Sequence, residues 1–504
     1  MSTQIATGSI THLFVLMLEN RSFDHMLGFS GIAGRDAATG RATTINGLLG
    51  AESNSYNGAT YPVSHPADFA MTVDPAHEFL NVLRQLCGPT ATYSPGGAYP
   101  AIDCSGFVAE YVASGGHDNP AEIMKCYEPG QLPVLNALAR EFAVCDNWYS
   151  SLPGPTWPNR FFVHAASSGG LDHSPTSGEI AQWELLSGFD FSRGTVFDSL
   201  NSLGSSGSWR IYAGGAFPNV AALQGIHNFQ INDFADFAAD VAGPAYNYSY
   251  TFIEPNYGDV VFSTFRGGNS QHPLDDVTHG EGLIKAVYEA VRNSPIWENS
   301  LLIVTWDEHG GFYDHVVPPP AVPPGDNIVT PGANQYGFTF SQYGPRVPAI
   351  VVSPRIPKNL IDHRRYDHSS VPATVEDLFG LGPLTQRDAK ANNLTPLASL
   401  TSPRTDTPTS LPSPVVQTEA ESRILAPVGA SPTDSVDQGN LPGFLHAALR
   451  SDLALSRPEQ RPAILAQFQT IKTRGQAKAY LDQVRVKVQA GRAANRQRAM
   501  GHSS

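Results

Sequence analysis

The chain is short of cysteine. Four stand in 504 residues, at 87, 104, 126 and 145, and none belongs to a CxxC pair. That spacing excludes a zinc knuckle and is too sparse for a disulfide scaffold. A Cys87–Cys104 bridge stays open, and Cys145, behind Phe142-Ala143-Val144, reads as buried. No apolar run reaches the roughly 18 residues a membrane span needs. The first residues, MSTQIATGSITH, have neither a basic segment nor an apolar one, so no secretory signal is read there. The expectation is a cytoplasmic protein, or export by a route not visible in this sequence. Positive charge is also in deficit: 32 Lys and Arg face 46 Asp and Glu, a formal net charge of -14. That argues against a nucleic-acid binder, which needs cations to neutralise phosphates. An anionic substrate stays open, because a metal reverses the local field. No internal repeat is present.

Glycine (46) and proline (40) are plentiful and imply long irregular loops, as suits an enzyme rim. Short apolar runs recur and end abruptly. Leu13–Leu18 stops at Glu19 and Asn20. Leu301–Trp306 stops at Asp307 and Glu308. Phe142–Cys145 stops at Asp146 and Asn147, and VPAIVVSP (347–354) is a fourth apolar segment. Such runs are what buried strands look like. Between them, 132–142 and 280–295 carry apolar residues at helical spacing. Helix followed by buried strand predicts an α/β fold with a mostly parallel sheet. Ligands bind beyond the carboxyl ends of such strands. Two strands that each deliver adjacent oxygen-bearing side chains to one rim would form a divalent metal site. Asn20-Arg21-Ser22 also fits an N-glycosylation pattern, but a strand tip is a poor place for a glycan.

Other motifs carry hydroxyls and histidines. In GPTWPNR (154–160) a rigid turn feeds a helix. Thr156 there can cap the helix, or act as a nucleophile if a metal lowers its pKa. DPAHEF holds Asp74 and His77. QHP holds His272, ahead of Asp275, Asp276 and His279. DEHGGFYDHV holds His309, Asp314 and His315, and YDHSS holds Asp367 and His368. Residues 401–440 turn Ser/Thr/Pro-rich, as in an extended linker or surface strap. Beyond 441 the pattern is helical, and the far end is basic while the body is acidic. Such a tail can meet a membrane surface or a partner, or pack on the body by one apolar face.

ENRSFDH, DPAHEF, GPTWPNR, QHP with a following GE, DEHGGFYDHV, RVPAIVVSP and YDHSS, in that order across about residues 10 to 385, resemble the phosphoesterase family of phosphatidylcholine-type phospholipases C and a related acid phosphatase. The resemblance implies a three-layer α/β sandwich of the alkaline phosphatase type, residues 1–400, followed by the 401–440 strap and the 441–504 helical extension. It implies one divalent ion held by Glu19, Asn20, Thr156, Asp307 and Glu308, with Thr156 as nucleophile passing through a phospho-threonine. Hard oxygen ligands favour calcium, magnesium or manganese, with zinc still open. His77 and His272 would bind the phosphoryl group or protonate the leaving alkoxide, Asn159 would donate to a phosphoryl oxygen, and His368 belongs to the late motif. His309 would orient Glu308. Trp157 beside the nucleophile would wall the substrate pocket. The implied substrate is a phospholipid, split into diacylglycerol and a phosphorylated headgroup, or another phosphate ester. The monoesterase branch is the nearest alternative. A non-catalytic lipid or phosphate binder would be expected to have lost the nucleophile or metal residues first, and all five are present. A sulfatase would need Cys or Ser where Thr156 stands.

Overall fold

A computed structural model describes residues 10–182, 187–417 and 429–501. The start of the N-terminal segment read above and residues 418–428 of the strap lie outside the described residues. The apolar runs do become strands: β1 (His12–Leu18), β2 (Ala33–Asp36), β3 (Ala42–Thr44), β4 (Ala143–Cys145), β5 (Trp209–Ala213), β6 (Asn232–Asp233), β7 (Tyr250–Glu254), β8 (Ser300–Trp306), β9 (Ala349–Val352) and β10 (Leu360–Asp362). They form one sheet in the order β3-β2-β10-β4-β9-β8-β1-β7-β5-β6. Pairing is parallel except where β9 meets β8 and β4, and where β3 meets β2. The sheet is therefore mostly parallel, and VPAIVVSP supplies an antiparallel strand inside it.

Leu13–Leu18 and all of β8 are buried. Side chains alternate between the two faces of a strand, so full burial means both faces are covered. This explains why these runs are apolar without alternation. The α/β sandwich follows from it. Helices α1 (Pro133–Glu141) and α3 (Val277–Arg292) lock together through Glu281, whose carboxylate accepts from the Val134 and Leu135 N–H groups at 2.7 and 2.8 Å. Glu281 thus satisfies two donors that every helix N-terminus leaves open. Helix α2 (Thr156–Ala165) follows the turn after β4. The strap runs along α3, where Tyr288 donates to Pro408 O at 2.6 Å and Asn293 to Thr409 O at 3.0 Å.

The C-terminal helices join the same core. Helix α4 (Leu441–Leu455) is buried over nearly its whole length, and helix α5 (Arg474–Gly501) buries Ala477, Tyr480, Leu481, Val484 and Val488. The basic tail finds acids on α4 and on the body: Lys487 meets Asp452 of α4 at 2.6 Å, Arg492 meets Asp233 at 2.7 Å, and Arg496 pairs with Asp236 and Asp240. The opposite charges of tail and body are therefore partly internal ion pairs. Trp157 corrects an expectation. It does not wall a pocket but is fully buried beneath α4, where a Cβ on Gly443 would come within 2.2 Å of its ring. The four cysteines are free thiols, and Cys145 is buried. Among the described residues no helix is long and apolar enough to cross a membrane.

Candidate active site

β1 and β8 run side by side with Leu18 opposite Trp306, so Glu19 and Asp307 leave the sheet together. The chain then turns sharply. Asn20 takes a left-handed backbone (φ 58°), and its N–H donates to Asp307 Oδ1 at 2.9 Å. Arg21 N–H donates to Glu308 O at 2.9 Å, and the Asn20 amide donates to Glu308 Oε1. The two glycines of DEHGG follow from this crossing. Gly310 has φ 64°, and a Cβ on it would lie 2.1 Å from Asn20 O; one on Gly311 would strike Pro75. Only glycine lets the two strand tips close on each other.

Thr156 opens α2, yet it does not cap it. The cap position belongs to Pro155, and Thr156 Oγ is buried with no hydrogen-bond partner. The capping role, ordinary for Thr, is thereby removed. One turn on, Arg160 donates from Nε to Asp307 Oδ2 at 2.9 Å and from Nη2 to Leu18 O at 2.9 Å. Residues four apart share a helix face, and Arg160 ties that face of α2 to the strand tips. Both carboxylate oxygens of Glu19 and Oδ1 of Asn20 are likewise buried without a donor in hydrogen-bonding geometry. Unpaired buried oxygens are costly. Here they belong to residues expected to hold one hard divalent cation, and the donor set fits that ion.

The electrostatics agree with this fit. Burial, and then the Asp307 charge, push the Glu19 carboxyl up to about 8, with Arg160 and the Ser270 hydroxyl offsetting only part. Asp307 rises to about 6, burial outweighing Arg160. Burial would lower His77, but Glu308 and Asp74 carry it up to about 9. Burial, together with the His77 and Arg21 charges, holds His272 well below the ordinary histidine range. His77 and His272 line one cleft of about 550 Å³ with Asp74, Glu78, Arg84 and Leu441. His77 Nε2 lies 3.4 Å from the Asn20 amide nitrogen, which joins the cleft to the strand tips. His309 Nε2 donates to Gln85 Oε1 (2.9 Å), and its Nδ1 lies 3.3 Å from Glu308 Oε2 outside hydrogen-bonding geometry.

Two expected site residues are placed differently. Asn159 spends its polar atoms on the turn before α2: Oδ1 accepts from Leu152 N–H at 3.1 Å, and Nδ2 faces the carbonyls of Gly154, Pro155 and Leu152. No donor is left for a phosphoryl oxygen. His368 accepts from Trp148 Nε1 at 3.3 Å and donates from Nε2 to Asp307 O at 2.5 Å. Burial lowers its pKa to about 4, so it stays neutral. Its geometry is that of a clamp on the Asp307 backbone.

Arginines had been given no role from sequence. Arg160 stands in the quoted GPTWPNR, and its i+4 spacing from Thr156 was the available signal. Arg21, also buried, donates to Gln271 O at 2.7 Å and His272 O at 3.3 Å, and so holds the His272 loop against β1. A further acidic group, Asp24, Asp314 and His315, brings its ligand atoms within 4.8 Å of one another. The carboxylates of Glu19, Asp307 and Glu308 are spaced more widely than that. However, Arg346 lies across that tighter group, 2.9 Å from both Asp24 and Asp314, and takes up its charge.

The phosphoesterase family model matches residues 10–382. The chain belongs to the phosphoesterase family. As a phosphoesterase it is a phosphoric ester hydrolase. It is 38% identical over 433 residues to non-specific phospholipase C6 of Arabidopsis thaliana, covering 81% of this chain and 77% of that one. It is 37% identical to non-specific phospholipase C3 of the same plant, covering 80% and 76%. Phospholipase C B of Mycobacterium tuberculosis (strain H37Rv) is 28% identical, with 78% of each chain covered. A solved protein of the alkaline phosphatase superfamily from Vibrio parahaemolyticus aligns over 53% of this chain and 66% of its own, at 15% identity and a TM-score of 0.31. So low a score carries no argument, and the fold assignment rests on the sheet itself.

Proposed function

We propose that this phosphoesterase is a divalent-metal-dependent phospholipase C. It would cleave a phospholipid on the glycerol side of phosphorus, giving diacylglycerol and a phosphorylated headgroup. The observation that carries the reading is the set of buried, unpaired oxygens on Glu19, Asn20 and Thr156, beside a cleft that holds His77 and His272. Glu19, Asn20, Thr156, Asp307 and Glu308 would hold the ion, which when bound supplies Lewis-acid stabilisation of oxygen anions at the site.

Thr156 Oγ attacks phosphorus in line with the departing glycerol oxygen. The Thr156 hydroxyl gives up its proton as the new P–Oγ bond forms and the P–O bond to diacylglycerol breaks, and the glycerol oxygen takes up a proton, so the step is proton-neutral overall. Water then hydrolyses the phospho-threonine and restores Thr156. His77, held protonated, delivers that proton or contacts the phosphoryl oxygens, and His272, held neutral, contacts the phosphoryl oxygens. Arg21 and His368 act through backbone, on the His272 loop and on Asp307. Phospholipid is the expected substrate because the most similar relatives reported above are named phospholipases C. The substrate approach implies peripheral contact with a lipid surface.

The test is diacylglycerol release from phosphatidylcholine beside cleavage of p-nitrophenyl phosphate, before and after chelation, with Thr156→Ala as control. Diacylglycerol release that needs both the ion and Thr156 supports the proposal. Monoester cleavage alone would move the protein to the phosphatase branch with the same site. Turnover that survives chelation would remove the metal.

A further inference from the structure

Three carboxylates, on Glu19, Asp307 and Glu308, are buried at the strand tips. One divalent ion would offset two of those charges. Arg160 is the cation bonded directly to one of the three, Asp307, with a side chain only 1% exposed, and His77 stands by the Asn20 side. Its Nε is bound to Asp307 Oδ2 at 2.9 Å, and its Nη2 reaches Leu18 O at 2.9 Å and Met17 O at 3.4 Å. The guanidinium also lies 5.3 Å from the Tyr257 ring centroid. Such a fork fixes direction as well as charge. The same side chain is four residues from Thr156, on the helix that Thr156 opens.

We propose that Arg160 is a positioning residue of this site, which supplies positive charge to Asp307 in the cradle and registers the Thr156 helix on Asp307 and the end of β1. The inference rests on the metal-cradle reading above. Two consequences separate. The charge half concerns the ion: without Arg160 the cradle is more negative and attracts a cation more strongly. The fork half concerns Thr156: without two-point attachment the nucleophile loses its register.

The test uses the full chain, with manganese and calcium ions as probes. Ion affinity is read by titration calorimetry, melting temperature with and without ion, and kcat and KM on phosphatidylcholine. Arg160→Gln is expected to bind the ion several-fold more tightly. Its melting temperature should fall more without ion than with it. Its kcat should fall at least about tenfold with KM changed less than about threefold, because a contact that orients the nucleophile is lost rather than one that binds substrate. Arg160→Lys should keep ion affinity within about threefold and still lose kcat, since an ammonium cannot reproduce the fork. Should the Gln variant not fold, the Lys variant carries the test alone: wild-type kcat in it overturns the positioning role. Equal loss of melting temperature with and without ion in Arg160→Gln, at unchanged ion affinity, shows a merely structural arginine and overturns the proposal. Absence of ion binding by the wild type is a different result, which fails the metal reading itself and takes this inference with it.

Discussion

Two buried acidic clusters are built from the same pair of sequence motifs. ENRSFDH and DEHGGFYDHV cross twice. At the first crossing Glu19 and Asn20 meet Asp307 and Glu308. At the second, Asp24 meets Asp314 and His315. The second is closed. Arg346, over the Phe23 ring, bonds both carboxylates, and His315 Nδ1 lies 2.7 Å from Asp24. The first is open. Arg160 takes one carboxylate, while Glu19, eased only in part by the Ser270 hydroxyl, keeps its two oxygens without a donor in hydrogen-bonding geometry. Closeness alone favours the second crossing for a metal, whereas the proposal rests on the unpaired oxygens of the first. The unsatisfied oxygens lie at the first crossing, the one that Arg160 ties to the Thr156 helix. One crossing is a clamp and the other a cradle.

The largest expected effect falls on the cradle's activity. Glu19→Gln should lower kcat by roughly 10²–10³-fold or more, the range for losing one preorganised charge contact. Yet it should leave the metal-free protein as stable as wild type or more so, because a buried unpaired carboxylate is removed. Rates and melting curves read both. A Glu19→Gln protein that unfolds would make the cradle structural. Next comes the clamp. Arg346→Met leaves Asp24 and Asp314 buried without their cation and should cost about 3–5 kcal/mol in denaturant unfolding. A loss under about 1 kcal/mol would show that the clamp is not one.

The third prediction concerns pH. Glu19 is raised in the fold to about 8 and Asp307 to about 6, above their ordinary values. A carboxyl whose folded pKa is raised contributes stability below its unfolded pKa and loses it as pH rises through the folded value. The metal-free protein should therefore weaken between about pH 5 and pH 8, and a divalent ion, which favours both carboxylates ionised, should cancel that loss. The gain in melting temperature on adding ion should grow over this window, with proton release on binding. A gain that stays flat would contradict the assignment. Smaller still is Asn159→Ala, about 1–3 kcal/mol through the carbonyls and N–H it leaves behind at the turn. Smallest is Arg496→Gln, whose half-buried pairs with Asp236 and Asp240 should be worth less than about 1 kcal/mol.

Much of this was legible in the sequence, for physical reasons. Uniformly apolar runs such as Leu13–Leu18 can only be strands covered on both faces, and polar pairs at their ends mark the sheet edge where ligands bind. Roles that depend on who else is nearby were not legible. Asn159 and His368 sit in motifs beside the chemistry, but their atoms go to backbone partners that sequence does not reveal. Trp157 adjoins Thr156 in sequence and points the other way in space, under α4, because neighbours on a helix face different sides. Sequence left the basic tail free to meet a membrane, a partner or the body, and the acids that meet it, Asp452, Asp233 and Asp236, are set by the fold. Arg160 and Arg346 lay inside quoted motifs, but nothing linear shows which carboxylate a guanidinium will take.

The most direct test of the cradle is the number of divalent ions bound per chain, measured by titration calorimetry on wild type, Glu19→Gln and Asp314→Asn. The account predicts one ion in wild type and in Asp314→Asn, and none in Glu19→Gln at the same concentrations. An ion kept by Glu19→Gln and lost by Asp314→Asn would put the metal at the other crossing and contradict it.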